Sequence, residues 1–138
     1  LIQAMKKVQS QSTSNPAAVS QAAAQEALDG DQSCIQPMLT AFKERHDYVV
    51  QTLNRMPGVR CTESDGTFYS FPDFSAAIAS LEGVNDDVEL AEFFLQKASV
   101  ALVPGSAFGA PGYLRLSFAT SMEVLETALG RLKRALNG

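Results

Sequence analysis

The sequence predicts an α+β domain: a small mixed or antiparallel sheet of about three to four short strands, packed by helices and preceded by a long amphipathic helix. Segments with helical period dominate. The longest, Ile35 to Met56, sets Ile35, Leu39, Phe42, Val49, Leu53 and Met56 on one face. Strand-like runs are few and short: Val59 to Cys61, "TFYSFPDF", "VALVPG" and "YLRLSF". The last two flank a tight "GAPG" connection, which favours an antiparallel pair.

Each element has its own local reason. Leu1, Met5 and Val8 recur at helical spacing, and the polar "QSQSTSNP" after them reads as a loop. Asn15 is placed to cap the next helix, Pro16 suits its first position, and Gly30 is a natural stop. Between them the Ala-rich "PAAVSQAAAQEALDG" is a strong helix former whose small side chains allow another backbone to approach closely. Pro37 is tolerated in the first turn of the long helix, which "MPGV" ends. "SDG" makes a turn into "TFYSFPDF", where Phe68 and Ser70 share one face and Tyr69 and Phe71 the other.

"FSAAIASLEG" is a short helix. "NDDVELAEFFLQKAS" is a longer one, with Asp86 and Glu89 as a capping box and Val88, Ala91, Leu95 and Ala98 as its buried stripe. "VALVPG" reads as a short buried strand and "SAFGAPG" as a loop. Along "YLRLSF", Leu114, Leu116 and Phe118 alternate with Tyr113, Arg115 and Ser117. Thr120 and Glu123 cap the last helix, whose core face is Met122, Leu125, Leu129, Leu132 and Leu136.

The 138 residues fit one domain of ordinary size, and 46% apolar with 19% charged residues argues against disorder. A net charge of -4 with no basic block gives no reason to expect nucleic acid or an anionic membrane as partner. No apolar run is long enough to span a bilayer, and no signal peptide is visible. Cys34 and Cys61 are far apart and lack CxxC or histidine partners, so no metal site is expected, and reduced thiols suit the cytoplasm.

Arg115 is the residue that asks for an explanation. It is either a surface or salt-bridging arginine, or a fork for a carboxylate held on a rigid strand. The glycine-rich "VPGSAFGAPG" before it leaves room for a ligand. "STSNP" offers hydroxyls at a helix start, which serve either as a cap or as a phosphate site. His46 has no dyad partner nearby and reads as a half-buried structural histidine, while Phe68 and Tyr69 read as core or as pocket lining. Lys6, Lys7, Lys43, Lys97 and Lys133 fall on helix faces or ends, with nothing to suggest a buried, activated amine. The residues alone give one candidate anion site and no catalytic set.

Four stretches, in order, resemble a known family: "MKKVQSQSTSNPAAVSQAAAQEAL", "DGTFYSFPDF", "VALVPGSAFG" and "GYLRLSFATSMEVLETALGRL". They are similar to the C-terminal part of bacterial-type aspartate aminotransferases, fold-type I enzymes of class I/II that use pyridoxal 5'-phosphate (PLP). The likeness covers essentially the whole chain. It implies that Arg115 binds the substrate α-carboxylate and that Phe68 lies near the substrate pocket. It implies that residues 1–34 are the end of a large domain with an interface segment, and residues 35–138 a small domain that closes over substrate. "STSNP" is then expected near a homodimer interface, on the cofactor side of the partner subunit.

The same likeness implies amino-acid and 2-oxo-acid substrates, aspartate and 2-oxoglutarate first, although relatives acting on aromatic amino acids, alanine or prephenate share these motifs. The family's Schiff-base lysine and the aspartate that pairs with the pyridine nitrogen have no match here, so the cofactor-binding residues stay unknown. The expectation is a piece of a longer aminotransferase, because the chain opens in mid-pattern without a methionine, and inactive alone, because that lysine is absent. The alternative is a stand-alone, non-catalytic binding module derived from such a domain.

Overall fold

A computed structural model describes residues 1–12 and 15–137. Two compact units result, Leu1–Pro37 and Met38–Gly138. In the first, helix α1 spans Ile2–Ser12 and α2 spans Ala18–Asp29, and neither contains a buried residue. Gln9 to Ser12 are therefore helical, not loop. Ser10 and Ser12 turn their hydroxyls back onto the carbonyls of Lys7 (2.8 Å) and Val8 (3.0 Å), so they do not compete with the helix.

Thr13 and Ser14, the centre of "STSNP", lie outside the described residues. Asn15 does not cap α2 and Pro16 is not its first residue. The N-cap is Ala17, in extended backbone and without a side-chain bond, and the Gln21 amide donates to the Pro16 carbonyl at 2.9 Å. Gly30 does end α2. Its backbone is extended rather than left-handed, and a Cβ there would meet the Glu26 carbonyl oxygen at 2.5 Å, so the need is for space.

The second unit opens within α3, Ile35–Leu53, which buries Val49, Val50 and Leu53. Tight turns at Arg55 and Met56 replace the last predicted turn of helix. Gly58 follows with φ +72°, and its carbonyl accepts the Ala77 N–H at 3.1 Å; a Cβ would strike that nitrogen at 2.6 Å. This contact seats α4, Ser75–Ser80, backbone against backbone.

The sheet has three strands, all antiparallel, in the order β1-β3-β2: β1 Tyr69–Ser70, β2 Val103–Pro104 and β3 Leu114–Ser117. Two predicted strands shrink. Val59 to Cys61 contributes one bridge, Arg60 with Asp73 (2.9 and 2.8 Å). "TFYSFPDF" keeps two ladder residues, because Pro72 has no N–H to give. Val103 is 36% exposed, so β2 is an open edge and not the buried strand expected.

Helix α5, Asp87–Ala98, is capped by Asp86, which accepts from the N–H groups of Val88 and Glu89. The reciprocal half of the box goes elsewhere: Glu89 accepts from Asn85, not Asp86. The inward face holds Asp87, Leu90, Ala91, Phe94 and Ala98, while Val88 and Leu95 point out. Of the predicted stripe, Ala91 and Ala98 are buried, while the places expected for Val88 and Leu95 are taken by Asp87 and Phe94, one position earlier. Helix α6, Met122–Asn137, buries Leu125, Leu129 and Leu132 as predicted, but Ser121 and not Thr120 accepts at its start, from the Val124 N–H.

The core sits between α3, α4, α5, α6 and the inner face of the sheet, with Phe74, Phe94, Phe118, Leu53, Leu90, Leu114, Leu129 and Leu132 fully enclosed. Each such side chain contributes roughly 1.5–3 kcal/mol by leaving water.

Candidate functional site

Strand β3 is bonded on both sides, to β1 and to β2, so the backbone under Arg115 is fixed. Leu114 and Leu116 point to the core. Arg115 is half-buried on the other face, opposite Val103 and beside Tyr69 of β1. Its guanidinium carbon lies 5.5 Å from the centre of the Tyr69 ring and 4.9 Å from that of Phe108. The guanidinium thus lies over two aromatic rings, a cation–π arrangement that restricts where the fork can go. Among the described residues no carboxylate is within ion-pair distance; the ion pairs present join Asp47 to Lys43 and to His46. An oriented, uncommitted guanidinium of this kind suits a planar carboxylate, which it can take through two parallel bonds.

Phe108 closes a 3₁₀ turn, Gly105–Phe108, in the loop before β3. That loop is fastened from below. Asp87 is 1% exposed, and its carboxylate accepts the Ser106 N–H at 2.8 Å and the Gly112 N–H at 3.2 Å. Burial works against the charge, but these N–H groups and the Ser106 hydroxyl outweigh it, and the Asp87 carboxyl sits below its ordinary value. Gly105 must be glycine, since a Cβ would lie 2.4 Å from the Ala110 carbonyl oxygen. Phe71 stacks on Tyr113 at 5.2 Å and meets Phe108 edge-on at 6.1 Å, which backs the ring over Arg115.

Phe68 and Tyr69 are not core. Phe68 is 54% exposed and touches Tyr69 edge-to-face at 5.6 Å, so Arg115 and Phe68 are joined through that ring. Thr67, in left-handed backbone at φ 72°, breaks the extended run just before Phe68, so β1 does not continue upstream of it. Sequence reasoning named Arg115, Phe68 and Tyr69 but missed Phe108 and Asp87. A signal for Asp87 existed: of two successive aspartates before a helix, only one can cap it.

The remaining candidates fall away from this face. His46 receives the Ser64 N–H at Nε2 (3.2 Å) and meets Asp47 at Nδ1 (3.0 Å), so both ring nitrogens serve structure. It lines an open groove of about 340 Å³ that includes neither Arg115 nor Phe68. All five lysines are exposed, and Lys43 is pushed up by its hydrogen bond to Asp47. Burial pushes the Cys61 thiol up as well. Among the described residues no group of three His, Cys, Asp or Glu could hold a metal, and no helix is long and apolar enough to cross a membrane.

Comparison with known proteins matches this arrangement to one family. The family model "Aminotransferase class I and II" matches residues 1–132. The aspartate/prephenate aminotransferase of Nitrosomonas europaea is 47% identical over 99% of this chain and 36% of its own length. The aspartate aminotransferase of Geobacillus stearothermophilus is 42% identical over 97% of this chain and 34% of its own. Among solved structures, the aspartate aminotransferase of Rhizobium meliloti superposes with a TM-score of 0.86 and 38% identity, covering 99% of this chain and 35% of that one. That from Thermotoga maritima gives 0.78 and 45%, covering 96% and 32%. The chain thus spans about a third of the length of the relatives it matches. With a matching sequence along nearly all of its length and a matching fold around Arg115, the chain belongs to the class I and II aminotransferases.

Proposed function

We propose that this chain is the carboxylate-binding portion of an aminotransferase that moves an amino group between aspartate and 2-oxoglutarate. Arg115 takes the α-carboxylate and Phe68 lines the pocket beside it. The observation that carries the reading is the guanidinium fixed between Tyr69 and Phe108 with no protein carboxylate on it. One such fork serves both substrates, because amino acid and oxo acid share the carboxylate while exchanging the group next to it. Relatives named for prephenate fit the same logic, since prephenate also ends in a 2-oxo acid. The reading carries with it a cytoplasmic homodimer with no nucleic-acid or membrane partner, and residues 1–34 and 35–138 as the end of a large domain and a small domain.

The family is PLP-dependent, and PLP supplies the electron sink for proton transfer at the substrate's α-carbon. The residues described here do not fit that cofactor. It needs a sheltered lysine amine, and all five lysines are exposed. We therefore assign the cofactor's lysine to the part of the protein beyond the third spanned here.

Two experiments test the proposal. In the full-length enzyme, Arg115→Leu removes a bidentate, charge-assisted pair worth about 2–4 kcal/mol, so kcat/KM should fall about 30- to 1,000-fold for both substrates. Arg115→Lys keeps the charge, loses the fork and should fall between. Unchanged kcat/KM in Arg115→Leu removes the assignment. The 138-residue chain alone, mixed with PLP and borohydride, should retain no cofactor at a single lysine; stoichiometric labelling of one lysine would instead support a self-sufficient module.

A further inference from the structure

We infer that Asp87 and Phe108 are positioning residues for Arg115: the buried carboxylate fixes the 105–112 loop, and the loop holds the Phe108 ring over the guanidinium. The inference rests on the reading of Arg115 as a carboxylate fork.

A buried acid demands a reason. Asp87 is 1% exposed and, among the described residues, has no cation to balance it. Removing a carboxylate from water is costly unless its oxygens are fully used. An apolar residue would have filled the same place on α5 beside Leu90 and Ala91. What Asp87 does instead is bracket a loop. One oxygen takes the N–H of Ser106 and the other that of Gly112, near the two ends of the segment. Between them the backbone passes through left-handed glycine at Gly109 (φ 76°) and again at Gly112 (φ 84°). Such backbone has many alternatives when it is not tied down. The first turn of α5 adds its own favourable field for the charge, since helix N-termini are electropositive.

Phe108 shows where the fixing is used. The ring is 52% exposed, so it adds little to the core. The Arg115 guanidinium carbon lies over this ring, 4.9 Å from its centre, and Phe71 meets it near-perpendicularly at 6.1 Å. Two residues after the clamped Ser106, it closes the 3₁₀ turn, and the Gly109 N–H pins the turn to the Ser106 carbonyl at 3.0 Å. Asp87 therefore acts on substrate only through Phe108 and Arg115: shift the loop, and the guanidinium loses one of the two planes that aim it.

The test uses the full-length enzyme, with succinate as a non-reacting dicarboxylate probe alongside steady-state kinetics. Asp87→Asn keeps one acceptor and turns a donor toward the other N–H. It should raise the succinate Kd and the substrate KM about 10-fold while kcat changes less than about 2-fold. Phe108→Leu leaves the Asp87 clamp intact. It should weaken succinate about 3- to 10-fold, from the lost cation–π contact, with Tm within about 2 °C of the parent. Asp87→Glu, one methylene longer, should not restore affinity.

A folded Asp87→Asn enzyme with lower Tm but unchanged Kd and KM means the acid only stabilises, and overturns the inference. Unchanged Kd in Phe108→Leu overturns it as well, and decides alone if Asp87→Asn does not fold. Arg115→Leu run in parallel separates the failures. If it leaves succinate binding untouched, the reading of Arg115 itself is gone; if it weakens binding while the other variants do not, only the positioning is.

Discussion

Leu114 and Leu116 leave β3 toward the core, where the first is fully enclosed and the second 4% exposed. Arg115 and Ser117, one residue out of phase, leave toward an open face shared with Tyr69 and Val103. Four consecutive residues thus do two jobs. The inner pair is specified by shape and volume, and its neighbours Phe118 and Leu129 complete the packing. The outer pair is specified by direction and charge, and its neighbours are rings and a loop. The difference teaches that the same ladder that stabilises the fold also supplies the rigidity that makes Arg115 useful, since a fork on a mobile segment would have no fixed aim.

The sharpest way to break this comparison is to exchange the consequences. Leu116→Ala should cost about 2–5 kcal/mol of stability through lost burial and a cavity, and lower Tm accordingly. Arg115→Leu should change stability by less than about 1 kcal/mol, because the half-buried guanidinium gives up ring contacts but no ion pair. Thermal unfolding of both variants checks this. A large loss from Arg115→Leu would mean that the outer face is also part of the scaffold, and the division between the faces would fall.

Much of the inner face was legible from sequence, because apolar period is a strong and local signal. Leu125, Leu129 and Leu132 on α6, the outward turn of Arg115 and the antiparallel pair around "GAPG" all follow from spacing. What hydrophobicity could not place was polar burial. Asp87 lies inside because two backbone N–H groups from a loop about twenty residues away converge on it, which no local pattern records. Phe108 was hidden for the opposite reason: an aromatic in a glycine-rich loop looks like a core residue until its partner is known to be a guanidinium. The strands are shorter than their β-rich composition implies where Pro72 and the left-handed Thr67 interrupt it.

A smaller effect separates the faces by pH. The Asp87 carboxyl, although buried, is held below its ordinary value by the Ser106 and Gly112 N–H groups. Its contribution to stability is therefore complete above the unfolded value of about 3.9 and is lost as pH falls through the lower folded value. Asp73 is shifted the same way, by the Ser75 N–H and hydroxyl, and contributes in the same window. Tm measured from about pH 5 to about pH 2.5 should fall, and the fall should be shallower in Asp87→Asn. Parallel slopes for parent and variant would mean that the charged form of Asp87 is not what the loop requires.

Ser70 gives the smallest and most local contrast. It sits on the inner face of β1 opposite Leu116, 3% exposed, and its hydroxyl has no partner of good hydrogen-bond geometry. The polar group facing it is the Cys61 thiol, a weak hydrogen bonder whose own ionisation is opposed by burial. An inner face governed by volume alone would be better served without that oxygen. Ser70→Ala should then be neutral or stabilising by up to about 1 kcal/mol, because it removes a buried hydroxyl that gains little and was desolvated. Denaturant unfolding at constant m-value reads the difference. A loss of more than about 1 kcal/mol would show that the Ser70–Cys61 contact is a working hydrogen bond, and that even the core side of this sheet relies on polar direction.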